Sequence, residues 1–109
     1  MMEDIVLLET KLAKPDKEVF QLQFAVGEFD MVVADAETLT CEIFEIKHSK
    51  EVIPAQYRHL TDTDKCEQTE HRYGTITART VIYRGATTDS EDVRYVNVEE
   101  YLNLLGVKN

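Results

Sequence analysis

Between Glu18 and Lys47 the chain carries three apolar stretches joined by connections too short to hold a helix, and this crowding constrains the fold more than any other feature. Phe20, Leu22, Phe24 and Val26 alternate with Val19, Gln21, Gln23 and Ala25, which is the period of a half-buried strand. Gly27 turns that strand into a second, Phe29 to Ala34. Asp35-Ala36-Glu37-Thr38 has the polarity and length of a hairpin loop before a third, Thr40 to Lys47. A meander of three consecutive strands follows. Upstream, Ile5, Leu8 and Leu12 fall at helical spacing and Lys14-Pro15-Asp16 stops the pattern, so residues 2–13 read as a short helix.

Beyond the meander, residues 55–72 are mostly polar, with Tyr57, Leu60 and Cys66 as apolar anchors. They read as a helix that Pro54 begins, Thr61-Asp62-Thr63-Asp64 interrupts and Gly74 ends. Ala78 to Tyr83 is a fourth strand, residues 86–92 an acidic, Thr-rich loop, Arg94 to Val98 a short strand, and Glu99 to Leu105 a last helical turn or two. The order is α-β-β-β-α-β with a β-α tail. A helix between the third and fourth strands permits a crossover, so the expected fold is α/β, a mixed sheet flanked by helices. The 109 residues hold no repeat, linker or low-complexity block, which fits one domain over residues 1–109.

Composition narrows the function classes. Twelve Lys and Arg stand against 21 Asp and Glu, a net charge of −9, so the overall field repels nucleic acid and binding to it requires a local basic patch. No apolar run reaches the roughly 20 residues of a membrane span, and Met1-Met2-Glu3-Asp4 lacks the basic start of a secretory signal, so the expected setting is cytoplasmic, without a membrane partner. Cys41 and Cys66 are too few for a disulfide framework and form no C-x-x-C pair, so buried thiols are expected. His48, His59 and His71 have no thiolate pair beside them; His48 is expected at the surface, and His59 and His71 as solvated helix residues.

Chemistry gathers on the second and third strands. Glu28 and Asp30 share a strand face, as do Glu45 and Lys47, and adjacent strands bring the two sets together. Two acids and a lysine make a sensible magnesium site, with hard oxygen ligands for the ion and an ammonium to steady charge on a phosphate. The competing reading is a solvated polar face of the sheet. Against it, each acid interrupts an apolar run, as in Phe44-Glu45-Ile46, where burying a lone charge is costly.

This element order and these residues resemble the PD-(D/E)XK nuclease-like superfamily, with its α-β-β-β-α-β core. More narrowly, the chain resembles the C-terminal domain of prokaryotic AAA-type ATPases of the archaeal ATPase kind. The resemblance rests on Met2-Glu3-Asp4-Ile5-Val6, Gly27-Glu28-Phe29-Asp30-Met31-Val32-Val33 and Phe44-Glu45-Ile46-Lys47-His48-Ser49-Lys50, with Gln56-Tyr57 and Val81-Ile82-Tyr83 extending it over nearly the whole chain. It implies a restriction-endonuclease-like fold, Asp30 and Glu45 as ligands of Mg2+ or Mn2+, Lys47 as catalytic lysine, and Glu3 as an extra ligand from the first helix. Gln56 resembles a glutamine on the following helix of some nuclease branches, and Lys50 and Arg58 are candidate contacts to a phosphate backbone. The implied activity is phosphodiester hydrolysis on DNA or RNA, in a fragment of a larger ATPase whose motor module precedes it; with no G-x-x-x-x-G-K-[ST], this stretch has no P-loop of its own. Because fold does not fix function, a catalytically inactive module for protein interaction or ATPase assembly stands beside the nuclease reading.

Overall fold

The computed structural model describes residues 2–90 and 92–106. Helix α1 (Met2–Ala13) leads into β1 (Glu18–Gln23), β2 (Glu28–Asp35) and β3 (Thr40–Ile46). A single 3-10 turn (Pro54–Tyr57) and α2 (Thr63–Tyr73) carry the chain to β4 (Thr75–Tyr83), followed by β5 (Thr88–Asp89), β6 (Arg94–Asn97) and α3 (Val98–Leu104). The strands form one mixed sheet in the order β1-β2-β3-β4-β6-β5. β1, β2 and β3 are successively antiparallel, β4 runs parallel to both β3 and β6, and β5 closes the far edge antiparallel to β6. Parallel pairing of β3 with β4 needs a crossover, which the 3-10 turn and α2 supply.

Helices cover both faces of this α/β sheet. On one, Leu60 and Cys66 pack over Val32, Ile43, Val81 and Tyr95; on the other, Val6 of α1 and Tyr101 of α3 pack over Met31, Phe44, Ile82 and Val96. Double coverage explains why Met31-Val32-Val33-Ala34 and Val81-Ile82-Tyr83 read as unbroken apolar runs, since a strand buried on both sides has no polar face to alternate. Both cysteines are buried and unpaired, and burial pushes the Cys41 thiol up to about 11.

Several boundaries depart from the periodicity. The polar segment 55–72 is two elements, because the Asp62 carboxylate accepts the Lys65 N–H at 3.1 Å and starts α2 afresh as its N-cap. Likewise the Asn97 side chain accepts the N–H groups of Glu99 and Glu100 at 2.9 and 3.2 Å, so α3 begins directly from β6. β4 starts at Thr75, three residues before Ala78, and the acidic loop over 86–92 contains the two-residue β5. Val26, placed by alternation with the buried set of β1, lies in the turn and is 76% exposed. In α1 the residues buried are Val6 and Thr10, not Ile5, Leu8 and Leu12, whose spacing marks the helix.

Gly74 joins the crossover to the meander. Its φ is +102°, and a Cβ there would stand 1.9 Å from the carbonyl oxygen of Leu39, the same oxygen that accepts the Thr75 N–H at 2.9 Å. Only glycine lets the end of α2 approach the β2–β3 hairpin so closely. Gly74→Ala is therefore expected to lower stability by at least about 2 kcal/mol in denaturant unfolding; a loss below about 0.5 kcal/mol would show that the contact is dispensable.

Candidate functional site

The β2–β3 ladder runs from Asp35 opposite Thr40 to Met31 opposite Phe44. Just beyond, β2 is irregular, because between the Phe20–Val32 and Leu22–Phe29 pairs Asp30 and Met31 together face Gln21 of β1. Such a bulge bends the strand and re-aims its side chains. Here the re-aimed group is Asp30, whose Oδ2 accepts the Ile46 N–H at 2.7 Å. A side-chain carboxylate thus holds the end of β3 in place of a strand carbonyl.

Glu45 sits one residue away on β3, opposite Val81 of β4, in the middle of the sheet and only 1% exposed. Its Oε2 lies 3.8 Å from Lys47 Nζ, and its Oε1, also buried, has no hydrogen-bond partner among the described residues. Lys47 shares the strand face of Glu45 and keeps 35% of its side chain exposed, so it bridges the buried carboxyl and solvent. Burial is the main cause that pushes the Glu45 carboxyl up to about 9. Asp30, near enough to share a proton with it, and the more weakly acting charge of Glu28 push the same way, and Lys47 opposes them.

Glu28 is half-buried and also raised, by burial first and then by Asp30; the Gln21 carboxamide, which donates to Glu28 Oε2, works against that shift. The charge of Glu3, exposed on α1, reaches Glu28 as well. The structure therefore brings Glu28, Asp30, Glu45 and Lys47 together and leaves Glu3 at the margin. Among the described residues, no three His, Cys, Asp or Glu side chains are grouped so as to hold a metal as they stand.

The other residues singled out by sequence fare differently. Lys50 and Arg58 are both exposed; the Lys50 carbonyl packs against Gly85, where a Cβ would come within 2.3 Å. The Gln56 side chain lies outside the described residues. His48 and His71 are exposed, whereas His59, expected to be solvated, is half-buried and rests on Gly27, where a Cβ would meet its ring at 2.6 Å. Burial holds the His59 pKa below its ordinary value, helped by the positive charges of Lys65, Arg58 and Lys47 and opposed by Asp62. That set puts three cations and Asp62 within electrostatic reach of an imidazole seated on Gly27, with Lys65 itself paired to Asp62 at 3.4 Å. Lys65 also stands 5.7 Å over the Phe24 ring, tying α2 to the β1–β2 turn. Neither the support from Gln21 nor the seat of His59 has a sequence signal, since both depend on contacts between elements.

A cavity of about 570 Å3 opens elsewhere, over the face covered by α1 and α3, lined by Phe44, Thr80, Val96 and Tyr101 among others; it contains none of the clustered carboxylates. Among the described residues no helix is long and apolar enough to cross a membrane. Comparison with protein-family models, curated proteins and solved structures gives no match.

Folded chains keep the Glu45 proton at pH values where unfolded chains, near the ordinary value of 4.5, have lost it. Its contribution to stability is thus full below about pH 4.5, falls as the pH rises, and is gone above about 9. Glu45→Gln removes this titration while keeping the shape. In denaturant unfolding the variant should gain on the wild type steadily as the pH rises from about 4.5 toward 9, exceeding it by more than about 1 kcal/mol at the alkaline end. Parallel pH profiles for the two proteins would contradict the assignment.

Proposed function

We propose that this chain is a restriction-endonuclease-like domain that hydrolyses phosphodiester bonds with a Mg2+ or Mn2+ ion held by Asp30 and Glu45. The observation that carries the reading is Glu45 itself, a carboxyl buried in the sheet beside a second carboxyl near enough to share its proton and a lysine at 3.8 Å. A protonated carboxyl held in the sheet among like charges, where an apolar residue would cost less, marks a group kept for something other than stability. A divalent cation fits that donor set, because hard oxygens are its preferred ligands and one or two carboxylates completed by water suffice for magnesium. The element order, with a central β3 antiparallel to one neighbour and parallel to the other, suits the resemblance on which the fold name rests.

When bound, the ion polarises a phosphoryl oxygen and activates water. The chain's own groups divide the remaining work. Asp30, fixed by its bond to the Ile46 N–H, presents its carboxylate in a set orientation, while Glu45 gives up its proton to become a ligand. Lys47, with its tip toward solvent, offsets the negative charge that develops on the phosphate. Glu28 and Glu3 stand behind these groups as outer acids. Of the cations that act on His59, exposed Arg58 and the solvent-facing tip of Lys47 are the groups this reading offers to a nucleic-acid backbone, Lys65 being paired with Asp62 at 3.4 Å. Lys50 and Gln56 remain candidate substrate contacts in this proposal, and an ATPase module preceding the domain in a longer protein remains its expected partner.

Incubation with single- and double-stranded DNA and with RNA in millimolar Mn2+ tests the reaction. Cleavage should require the metal and fall at least about 100-fold in Asp30→Asn and in Lys47→Met, each verified as folded by circular dichroism. Cleavage that survives Asp30→Asn would contradict the assignment of the site. A folded wild type that cleaves none of the substrates would favour the second reading, a nuclease-fold module for protein interaction or ATPase assembly, which the excess of acidic residues supports.

A further inference from the structure

Helix α1 is fixed in rotation by its inner face. Val6 is fully buried, and Thr10 donates to the Val6 carbonyl at 2.7 Å while hydrogen-bonding the Tyr101 hydroxyl of α3 at 2.8 Å. The opposite face carries Ile5, Leu8 and Leu12, exposed by 51, 55 and 68%. Apolar residues scattered singly over a surface need no explanation, but three at spacings of three and four line up as one seam along a helix only about 18 Å long. Flanking that seam on one side are Asp4 and Lys11, both exposed and one heptad apart, so the two sit at equivalent positions with opposite charge.

We propose that α1 pairs with α1 of a second copy of this chain, antiparallel, about a twofold axis crossing the seam. The charge pattern selects this arrangement. Antiparallel packing sets Asp4 against the second copy's Lys11 and, by symmetry, Lys11 against its Asp4, with Ile5 and Leu8 meeting Leu8 and Ile5 between them. Parallel packing would instead set Asp4 against Glu9 on the opposite flank of the second copy, like charge on like, and leave Lys11 without a partner inside the helix. Antiparallel helices also align their dipoles favourably. The seam is short and each copy carries a net charge of −9, so association belongs in the micromolar range or weaker, below that of a standard interface. This pairing is independent of the carboxylate site and stands whether or not the chain cleaves phosphodiesters.

Sedimentation equilibrium of the whole chain, from about 10 μM to about 1 mM, reads the proposal directly. The apparent mass should rise from 12.6 kDa toward twice that value. Leu8→Asp should weaken association at least about 10-fold, and Lys11→Glu should weaken it too. Adding Asp4→Lys to Lys11→Glu returns the net charge to its original value and reverses both ends of each ion pair, so the double variant should associate as the wild type does. Circular dichroism must show α1 retained in each protein before the comparison is read, since Asp4→Lys and Lys11→Glu both oppose the dipole of α1. A wild type that stays monomeric throughout, a dimer that Leu8→Asp leaves intact, or a Lys11→Glu defect that Asp4→Lys fails to repair would overturn the proposal.

Discussion

Burying a carboxyl in the middle of a sheet is the constraint on which the rest of this site depends. Glu45 stands on β3, the strand with a long neighbour on each side, where water cannot solvate an ion. The chain could have placed an apolar residue there and gained stability. Instead it keeps the group protonated at neutral pH through burial and through Asp30, with Lys47 as partial counterweight. The arrangement is a poised one, because whatever takes the proton off Glu45 must supply positive charge in its place.

The geometry around Glu45 follows from one irregularity in the neighbouring strand. Ladder pairing stops at Met31, and the bulge over Asp30 and Met31 turns the Asp30 carboxylate onto the Ile46 N–H, next to Glu45. Parallel pairing of β4 on the other side of β3 closes that flank and removes Glu45 from solvent. The crossover that makes parallel pairing possible also delivers His59 onto Gly27 and Lys65 over Phe24, whereas the cation that acts on Glu45, Lys47, comes from the end of β3 itself. The topology that buries the acid thus leaves Lys47, two residues further along, as its counter-charge.

Much of this was legible in the residues. The meander, the crossover helix and the mixed sheet follow from apolar periods and turn signals between Pro15 and Gly85, and strand alternation correctly paired Glu45 with Lys47. Alternation held for Glu28 and Asp30 and failed beside them, where the bulge sends Phe29 and Met31 to opposite faces of the sheet, and again at Val26, which belongs to a turn. The solvent side of α1 carries as many large apolar groups as its buried side, so helical spacing alone marks the helix but not which face it buries. His59 and Gln21 act through contacts between elements, which no local pattern encodes.

Whether the Asp30 and Glu45 carboxyls take a divalent cation decides what this site does. Calorimetric titration of Mn2+ into the wild type and into Asp30→Asn/Glu45→Gln, near pH 7 in two buffers of different ionisation enthalpy, measures this directly. Binding at millimolar affinity or better is predicted, with about one proton released per ion as Glu45 ionises and with no binding by the double variant. A folded wild type that takes up no metal, or uptake that the double variant retains, would contradict it.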